Sequence, residues 1–265
     1  MKNIIAFPGL HIGPFALNES FSFLGLTIHW YGVIIAAGLI LAYLFGVKKG
    51  KNRAISSETI IDVILYGLPS ALVCARLYYV IFSWSEYKDN LIDIFKIWEG
   101  GIAIYGAVIG ACLSTAIYCR IKKVPFGKIF DIGAFGLLIG QTVGRWGNFV
   151  NAEAYGSETA NALLRMQLLN RGITVHPTFL YESLWNLGVF ILLNIFDKHR
   201  KFDGEIFLRY IIFYGLGRFF IEGLRTDSLW LGPVRISQMV ALLCVVVGII
   251  LWIILRKRCK NPEKA

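Results

Sequence analysis

Seven long apolar runs decide what this chain can fold into. They cover residues 28–47, 59–82, 101–119, 129–147, 179–196, 206–224 and 236–255. A helix needs about 20 apolar residues to cross the roughly 30 Å hydrocarbon core of a bilayer. The 265 residues are 56% hydrophobic, whereas soluble domains are usually about 45–50% apolar. The sequence therefore predicts an all-α polytopic membrane protein with about seven transmembrane helices in a single membrane domain, residues 1–265.

Basic residues are distributed unevenly among the connections between these runs. Three or more Lys and Arg follow the first, third, fifth and seventh runs, whereas each connection after an even-numbered run carries two. Cytoplasmic loops carry an excess of Lys and Arg, so we expect the N-terminus outside and the C-terminus in the cytoplasm. We attribute the net charge of +10 to these loops and to anionic lipid headgroups, and expect no nucleic-acid partner.

This orientation defines the segments outside the membrane. Residues 1–27 form an extracytoplasmic lead-in, 150–178 form an extracytoplasmic insertion between the fourth and fifth helices, and 256–265 form a cytoplasmic tail. Within the insertion, the leucines of 161–170 predict a short amphipathic helix that lies against the membrane interface.

A cluster of polar residues follows the fourth run. Arg145, Asn148 and Asn151 recur at steps of three, so they share one face of a helix, and Glu153 follows them. An Arg at the centre of a transmembrane helix costs about 2.5–3.5 kcal/mol, and such a residue usually faces a bundle interior or a wet cavity. A lone Arg could instead extend to water at the interface. Three further polar side chains, which also need partners, favour a polar site.

Four residues near the end of the sixth run share another helix face. They are separated by steps of four, four and three: Tyr214, Arg218, Glu222 and Arg225. Arg218 and Glu222 could simply form an intrahelical ion pair, which is compatible with a site. Arg218 also lies at a depth similar to that of Arg145, and two guanidiniums that face one cavity form a clamp for phosphate. At the outer leaflet, that phosphate would belong to a lipid headgroup.

Histidine and cysteine usage gives two further expectations. His29 and His176 lie next to apolar runs, where each is either an interfacial hydrogen-bonding residue or a base. The five cysteines include no CxxC spacing, and four of them lie in or beside apolar runs. We therefore expect no metal site, no disulfide and no cofactor.

The stretch from Gly144 to Gly156 carries a long pattern of unusual residues. It follows Gly-Arg-x-Gly-Asn-Phe-x-Asn-x-Glu-x-x-Gly and resembles the signature of bacterial prolipoprotein diacylglyceryl transferases. Further motifs of that family resemble residues 29–32 (HWYG), residues 176–182 (HPTFLYE) and the sixth-run residues Tyr214 to Glu222. The resemblance therefore extends over nearly the whole chain.

The resemblance implies a specific reaction and location. The family transfers the diacylglyceryl group of phosphatidylglycerol to the thiol of the lipobox cysteine in a prolipoprotein signal peptide. The products are a thioether-linked lipid and glycerol phosphate. The resemblance also implies a multi-pass protein of the bacterial cytoplasmic membrane. The orientation predicted from the basic residues places the polar residues after the fourth run, and with them the active site, toward the outer leaflet.

The resemblance also assigns roles to individual residues. Those assigned to catalysis are Arg145, Arg218, Tyr105 and Glu153. Those assigned to phosphatidylglycerol binding are Arg145, Asn148, Asn151, Gly156, Tyr31, Tyr214, Glu222 and His29. The candidate bases are His29 and His176. One position departs from the family pattern, because Tyr105 stands where the third-span motif Gly-Gly-x-x-x-His-Gly has its histidine. The identity of the base is therefore open.

Two other functions fit the same polar residues. A lipid transporter or flippase would use Arg76, Arg145, Arg218 and Glu222 along a translocation path, although the sequence shows no internal repeat with interrupted helices in matching halves. A non-catalytic protein that binds anionic lipid would need only the arginine clamp.

The predicted orientation can be tested by cysteine labelling of intact cells on a cysteine-free background. Ser157→Cys, in the insertion, should react with a membrane-impermeant maleimide. Lys51→Cys, in the first basic cluster, should not react, because that cluster is expected in the cytoplasm. The opposite labelling pattern would reverse the orientation.

Overall fold

The computed structural model describes residues 2–226, 228 and 230–260, and most of them are helical. The α-helices within these residues are α1 Trp30–Lys51, α2 Ser57–Phe82, α3 Trp84–Tyr87, α4 Ile104–Lys122, α5 Phe126–Val150, α6 Thr178–Asp197, α7 Glu205–Glu222 and α8 Ile236–Lys260. Helix α8 continues into the predicted tail 256–265, whose last five residues lie outside the described part of the chain.

Six helices among the described residues are long and apolar enough to cross a membrane, namely α1, α2, α4, α5, α6 and α8. Helix α7 is not one of them, because its 18 residues include four charged ones: Glu205, Arg209, Arg218 and Glu222. The predicted multi-pass, mostly helical membrane fold is therefore confirmed. The seventh crossing stays a prediction.

Short strands, which the all-α prediction did not include, form three sheets in the described residues. They are β1 Lys2–Phe7, β2 Ile12–Asn18, β3 Ser20–Phe23, β4 Leu26–His29, β5 Met166–Leu168, β6 Ile173–Val175, β7 Trp230–Leu231 and β8 Val234–Arg235. The largest sheet is antiparallel with the order β2-β1-β5-β6, and the other two are the hairpins β3-β4 and β7-β8. Because β1 pairs with β5, the lead-in and the insertion fold together.

The prediction of a short amphipathic helix over residues 161–170 is wrong. This segment contains strand β5, in which Met166 and Leu168 are buried and Gln167 is half-buried. Leu168 pairs with Ile5 of β1. Alternate residues of a strand point to the same face, so Met166 and Leu168 are buried together on one face of the sheet. These apolar side chains therefore follow the two-residue period of a strand and not the period of a helix.

Val47–Ile129 forms one of two compact units. Within it, α2 and α4 approach closely at two glycines of α4. A Cβ on Gly106 would lie 2.3 Å from the carbonyl oxygen of Cys74, and a Cβ on Gly110 would lie 2.4 Å from that of Ser70. Residues without a side chain are needed at such close contacts, so these two glycines allow the helices to pack together.

Arg76 lies in the same unit and stabilises the connection between α2 and α4. Its guanidinium donates hydrogen bonds to the backbone carbonyl oxygens of Asp93, Ile94, Lys96, Gly100 and Gly101. Arg76 is only 6% exposed, and these bonds replace the water that burial removes. Arg76 is therefore a structural residue of this connection.

The described residues outside Val47–Ile129 form the other unit, whose core joins α5, α6 and α7. Fully buried side chains of this core include Phe135, Leu138, Leu193 and Ile206. Asp131 of α5 accepts hydrogen bonds of 3.0 Å from the backbone amides of Gly204 and Phe207, and so caps the start of α7. This core and cap hold the three helices at one end, and the candidate site lies at their other end.

Candidate functional site

One buried carboxylate contacts three arginines at this end of α5, α6 and α7. Glu182 lies in the second turn of α6, and its side chain is 3% exposed. Its Oε2 lies 2.5 Å from Nη2 of Arg145. Its Oε1 lies 3.0 Å from Nη1 of Arg218 and 3.3 Å from Nη1 of Arg225. Glu182 thus joins α6 to the last turns of α5. It also joins α6 to α7 and to the residues that follow α7.

A second buried carboxylate, Glu222, fixes the other side of Arg218. Nη2 of Arg218 donates to Oε2 of Glu222 at 2.5 Å, so the intrahelical pair expected from the sequence is present. Oε1 of Glu222 accepts a hydrogen bond of 2.9 Å from the hydroxyl of Ser228, and its backbone carbonyl accepts one from Arg235. Because Arg218 lies between two carboxylates, its fork has one defined orientation.

Polar side chains extend from Arg145 to the end of α5. Nη1 of Arg145 donates to Oδ1 of Asn148 at 3.2 Å. The side-chain amides of Asn148 and Asn151 in turn donate to Oε1 of Glu153 at 3.0 Å and 3.4 Å. The structure therefore brings together the four polar residues that the sequence placed after the fourth run.

The end of α5 explains how Glu153 reaches back to this helix. The backbone amide of Glu153 donates to the carbonyl of Asn148, and that of Ala152 donates to the carbonyl of Phe149. These two bonds form a Schellman motif, which needs a left-handed residue just after the helix. Ala152 supplies it with φ of 49°. The motif reverses the chain and places the Glu153 carboxylate over the last turn.

Gly156 acts through close packing. A Cβ on Gly156 would lie 2.8 Å from Cβ of His176 and 2.9 Å from the carbonyl oxygen of Leu224. Gly156 also forms an isolated β-bridge with Arg225. A side chain here would push the insertion away from the segment after α7, so Gly156 helps to place Arg225 beside Glu182.

Two of the predicted tyrosines lie near this network. Tyr214 precedes Arg218 by one turn of α7 and stacks on Tyr210, with ring centroids 5.4 Å apart. Tyr31 of α1 packs against α5, since a Cβ on Gly147 would lie 2.7 Å from its ring. Both tyrosines therefore border the helix segments that carry the polar residues.

The described contacts of the network include neither of the candidate bases. His29 is exposed at the end of β4, where it pairs with Ser20 of β3. Nδ1 of His176 lies 3.3 Å from the hydroxyl of Tyr181. Geometry therefore does not select between the two histidines. Tyr105 belongs to the other compact unit, Val47–Ile129, at the start of α4.

Sequence reasoning missed Glu182, Ser228 and Arg235 as site residues. The sequence does contain a signal for Glu182 as a site residue, because a carboxylate inside an apolar run must find a buried partner. Arg225 was not among the predicted site residues either, although it shares a helix face with Arg218. Ser228 and Arg235 follow α7 in an irregular connection and a short strand, and no sequence period links them to Glu222.

Three guanidiniums converge on this site. Those of Arg145, Arg218 and Arg225 are 11–21% exposed and contact the carboxylates of Glu182 and Glu222. A partly buried cluster of guanidiniums attracts anions, and guanidinium forks match the oxygens of phosphate or carboxylate.

We predict that Glu182→Gln destabilises the protein. The amide keeps the shape but removes the charge that three guanidiniums share, and breaking a buried ion pair costs about 3–5 kcal/mol. The midpoint of thermal unfolding in detergent should fall by several degrees. Glu158→Gln, which alters an exposed carboxylate in the insertion, is the matched control. Equal midpoints for the two variants would show that Glu182 does not hold the network together.

Comparison with known proteins identifies the family. The family model described as prolipoprotein diacylglyceryl transferase matches residues 18–254. Three similar proteins are each named phosphatidylglycerol–prolipoprotein diacylglyceryl transferase. The protein from Clostridioides difficile (strain 630) is 44% identical over 242 residues, or 91% of this chain and 96% of the relative.

The other two come from Listeria welshimeri and Finegoldia magna. The first is 48% identical over 246 residues, which cover 89% of this chain and 88% of the relative. The second is 46% identical over 247 residues, which cover 92% of this chain and 98% of the relative. The family model and these relatives span the segment that carries the arginine network. This chain therefore belongs to the prolipoprotein diacylglyceryl transferase family.

Proposed function

We propose that this protein transfers the diacylglyceryl group of phosphatidylglycerol to the thiol of a lipobox cysteine in a prolipoprotein. Relatives that share 44–48% of its residues over about nine-tenths of the chain are named for this activity. In the reaction, the cysteine sulfur bonds to the glycerol carbon that carries the phosphate. The bond from that carbon to the phosphate oxygen breaks, glycerol phosphate leaves with the electron pair, and the thiol loses its proton.

The observation that supports this function most directly is the convergence of three partly buried guanidiniums at one end of α5, α6 and α7. A phosphodiester headgroup carries one negative charge, and its oxygens match guanidinium forks. Negative charge builds on the leaving phosphate oxygens as the bond to carbon breaks. Donors that are already held beside those oxygens lower the barrier. Arg145 and Arg218 are the residues to which we assign this role.

The neighbouring side chains position the arginines and the lipid. Glu182 and Glu222 orient the guanidiniums through the contacts described above. Asn148 and Asn151 offer amide groups for the headgroup, with Glu153 fixing both. Tyr31 and Tyr214 line the lipid pocket in this proposal. Removing one charged hydrogen-bond partner at such a site costs more than removing a neutral one.

The arginines also favour the thiolate of the acceptor. A cysteine thiol has a pKa of about 8.5, so a few per cent is already thiolate at neutral pH. A nearby guanidinium lowers the pKa of such a thiol. Tyr105 is assigned from the family motif and not from geometry. We propose that its hydroxyl orients substrate and that a separate base is not essential.

The network also fits a position at the outer leaflet. The chain is a multi-pass membrane protein of a bacterial family. The arginine network lies at the end of α5 and the start of α6. Lys and Arg cluster at the opposite ends of these two helices, which the positive-inside rule assigns to the cytoplasm. We therefore propose the cytoplasmic membrane, with the N-terminus outside, the C-terminus inside and the site facing outward.

A lipid transporter or flippase is less well supported than transfer. Arg76, which a translocation path would have used, is engaged by five backbone carbonyls. Arg145, Arg218 and Glu222, the other residues of that path, gather at one end of α5 and α7.

A transfer assay separates the three functions. Purified protein is incubated with phosphatidylglycerol and a lipobox peptide, and the thioether product is measured by mass spectrometry. Product supports diacylglyceryl transfer. Lipid binding without product would favour a non-catalytic anionic-lipid-binding protein, and movement of labelled lipid between leaflets without product would favour a flippase.

We predict that Arg145→Lys and Arg218→Lys each lose activity severely. Lysine keeps the charge but loses the planar fork, and one lost donor to a developing oxyanion typically costs about 10²–10³ in kcat. Arg165→Ala and Arg171→Ala are controls, because these arginines lie in the insertion and contact Ala162 and Tyr155. If both lysine variants insert normally and turn over at near-wild-type rates, the hypothesis that the guanidinium forks of Arg145 and Arg218 recognise phosphate is wrong.

We also predict the pH dependence of the thiol step. Tyr105→Phe should lower the rate without abolishing activity, because only an orienting hydroxyl is removed. His29→Gln and His176→Gln should leave the shape of the pH–rate profile unchanged. A limb of the profile near pH 6.5, the usual range for histidine, that disappears in one of these two variants would identify that residue as the base and contradict activation by the arginines.

A further inference from the structure

An apolar groove lies beside the arginine network, between strands β1 and β2 on one side and the adjoining ends of α5 and α6 on the other. Its volume is about 330 Å³, and every side chain that lines it is apolar. Phe15 and Leu17 of β2 form part of one wall. Trp146 and Phe149 of α5, with Phe179 of α6, form part of the other.

The groove and the network share helix faces. Phe149 follows Arg145 by four residues on α5, and Phe179 precedes Glu182 by three residues on α6. Residues three or four apart on a helix are neighbours, with Cβ atoms about 5–6 Å apart. Because an extended chain advances about 3.3 Å per residue, only a few residues separate the groove from a group held at the network.

The strand that forms one wall has a free edge. Strand β2 pairs with β1 and ends the four-stranded sheet, and no other described strand pairs with it. An edge strand presents unpaired backbone N–H and C=O groups that can pair with another chain. Within β2, Pro14 lacks an N–H, but the other residues keep theirs. An extended peptide can therefore add to this edge with alternate side chains directed to one face.

We infer that the groove and the free edge of β2 form the docking surface for an extended segment of the acceptor prolipoprotein next to its reactive cysteine. This inference rests on the proposed function, because the cysteine must reach a donor lipid held by the arginines. The groove offers no polar group to a headgroup. An acyl chain could fill the groove but would leave the backbone groups of β2 unpaired, whereas a peptide satisfies both features.

Kinetics with cysteine-containing peptide acceptors and phosphatidylglycerol vesicles test the docking surface in the full-length protein. Phe15→Ser should raise the KM for the acceptor about tenfold and leave the KM for phosphatidylglycerol unchanged. Leu24→Ser is the matched control, because Leu24 is 87% exposed at the β3–β4 turn and does not line the groove. An acceptor KM that is equal in the two variants would overturn the inference. A raised KM for phosphatidylglycerol in Phe15→Ser would also overturn it and point to an acyl chain as the occupant.

Equilibrium binding of a fluorescent acceptor peptide tests docking independently of product formation, which tests the proposed function. Absence of product with wild-type protein would contradict diacylglyceryl transfer, whereas peptide binding that Phe15→Ser weakens and Leu24→Ser preserves would still support docking. A peptide with N-methyl groups at alternate residues keeps its side chains but cannot donate to β2, so it should bind more weakly. Equal binding of the methylated and parent peptides would contradict pairing at the β2 edge.

Discussion

The candidate site depends on one buried carboxylate that holds three guanidiniums. Glu182 is almost fully buried, and the arginines that it contacts come from α5, α7 and the segment after α7. Charged groups taken out of water are costly unless each finds a partner in good geometry. Glu182 meets this requirement by using both of its oxygens. The same contacts tie together three chain segments at this end of the helices.

The local structure around this carboxylate is consistent with fixed rather than adaptable arginines. Arg218 lies between Glu182 and Glu222, and Arg145 lies between Glu182 and Asn148. The Schellman motif after α5 and the close packing at Gly156 set the positions of Glu153 and Arg225. Donors held in this way need little reorganisation when charge develops on a leaving group. Guanidinium forks held in this way match the oxygens of an anionic headgroup.

The helical framework could be predicted because each membrane-crossing helix has a long apolar run of its own. The four-stranded sheet could not be predicted, because β5 and β6 have only three residues each and β5 pairs with β1, more than 150 residues away. The same pairing overrides the helical spacing of the leucines in 161–170. Helix α7 carries four charged residues, so its own sequence does not show whether it crosses the membrane.

The candidate site was predicted in part. Residues on one helix face, such as Arg145 with Asn148 or Arg218 with Glu222, follow from helical spacing. Glu182 could not be joined to them in this way, because its partners are 36, 37 and 43 residues away along the chain. Tyr105 and the histidines were assigned from motifs alone. The described geometry selects none of them, so their roles stay predictions.

A structure of the protein with bound phosphatidylglycerol tests the central claim most directly. We predict lipid phosphate oxygens within about 2.7–3.2 Å of the guanidinium nitrogens of Arg145 and Arg218, with Glu182 still in contact with the arginines. A lipid phosphate bound away from both guanidiniums, with the network intact, would contradict it.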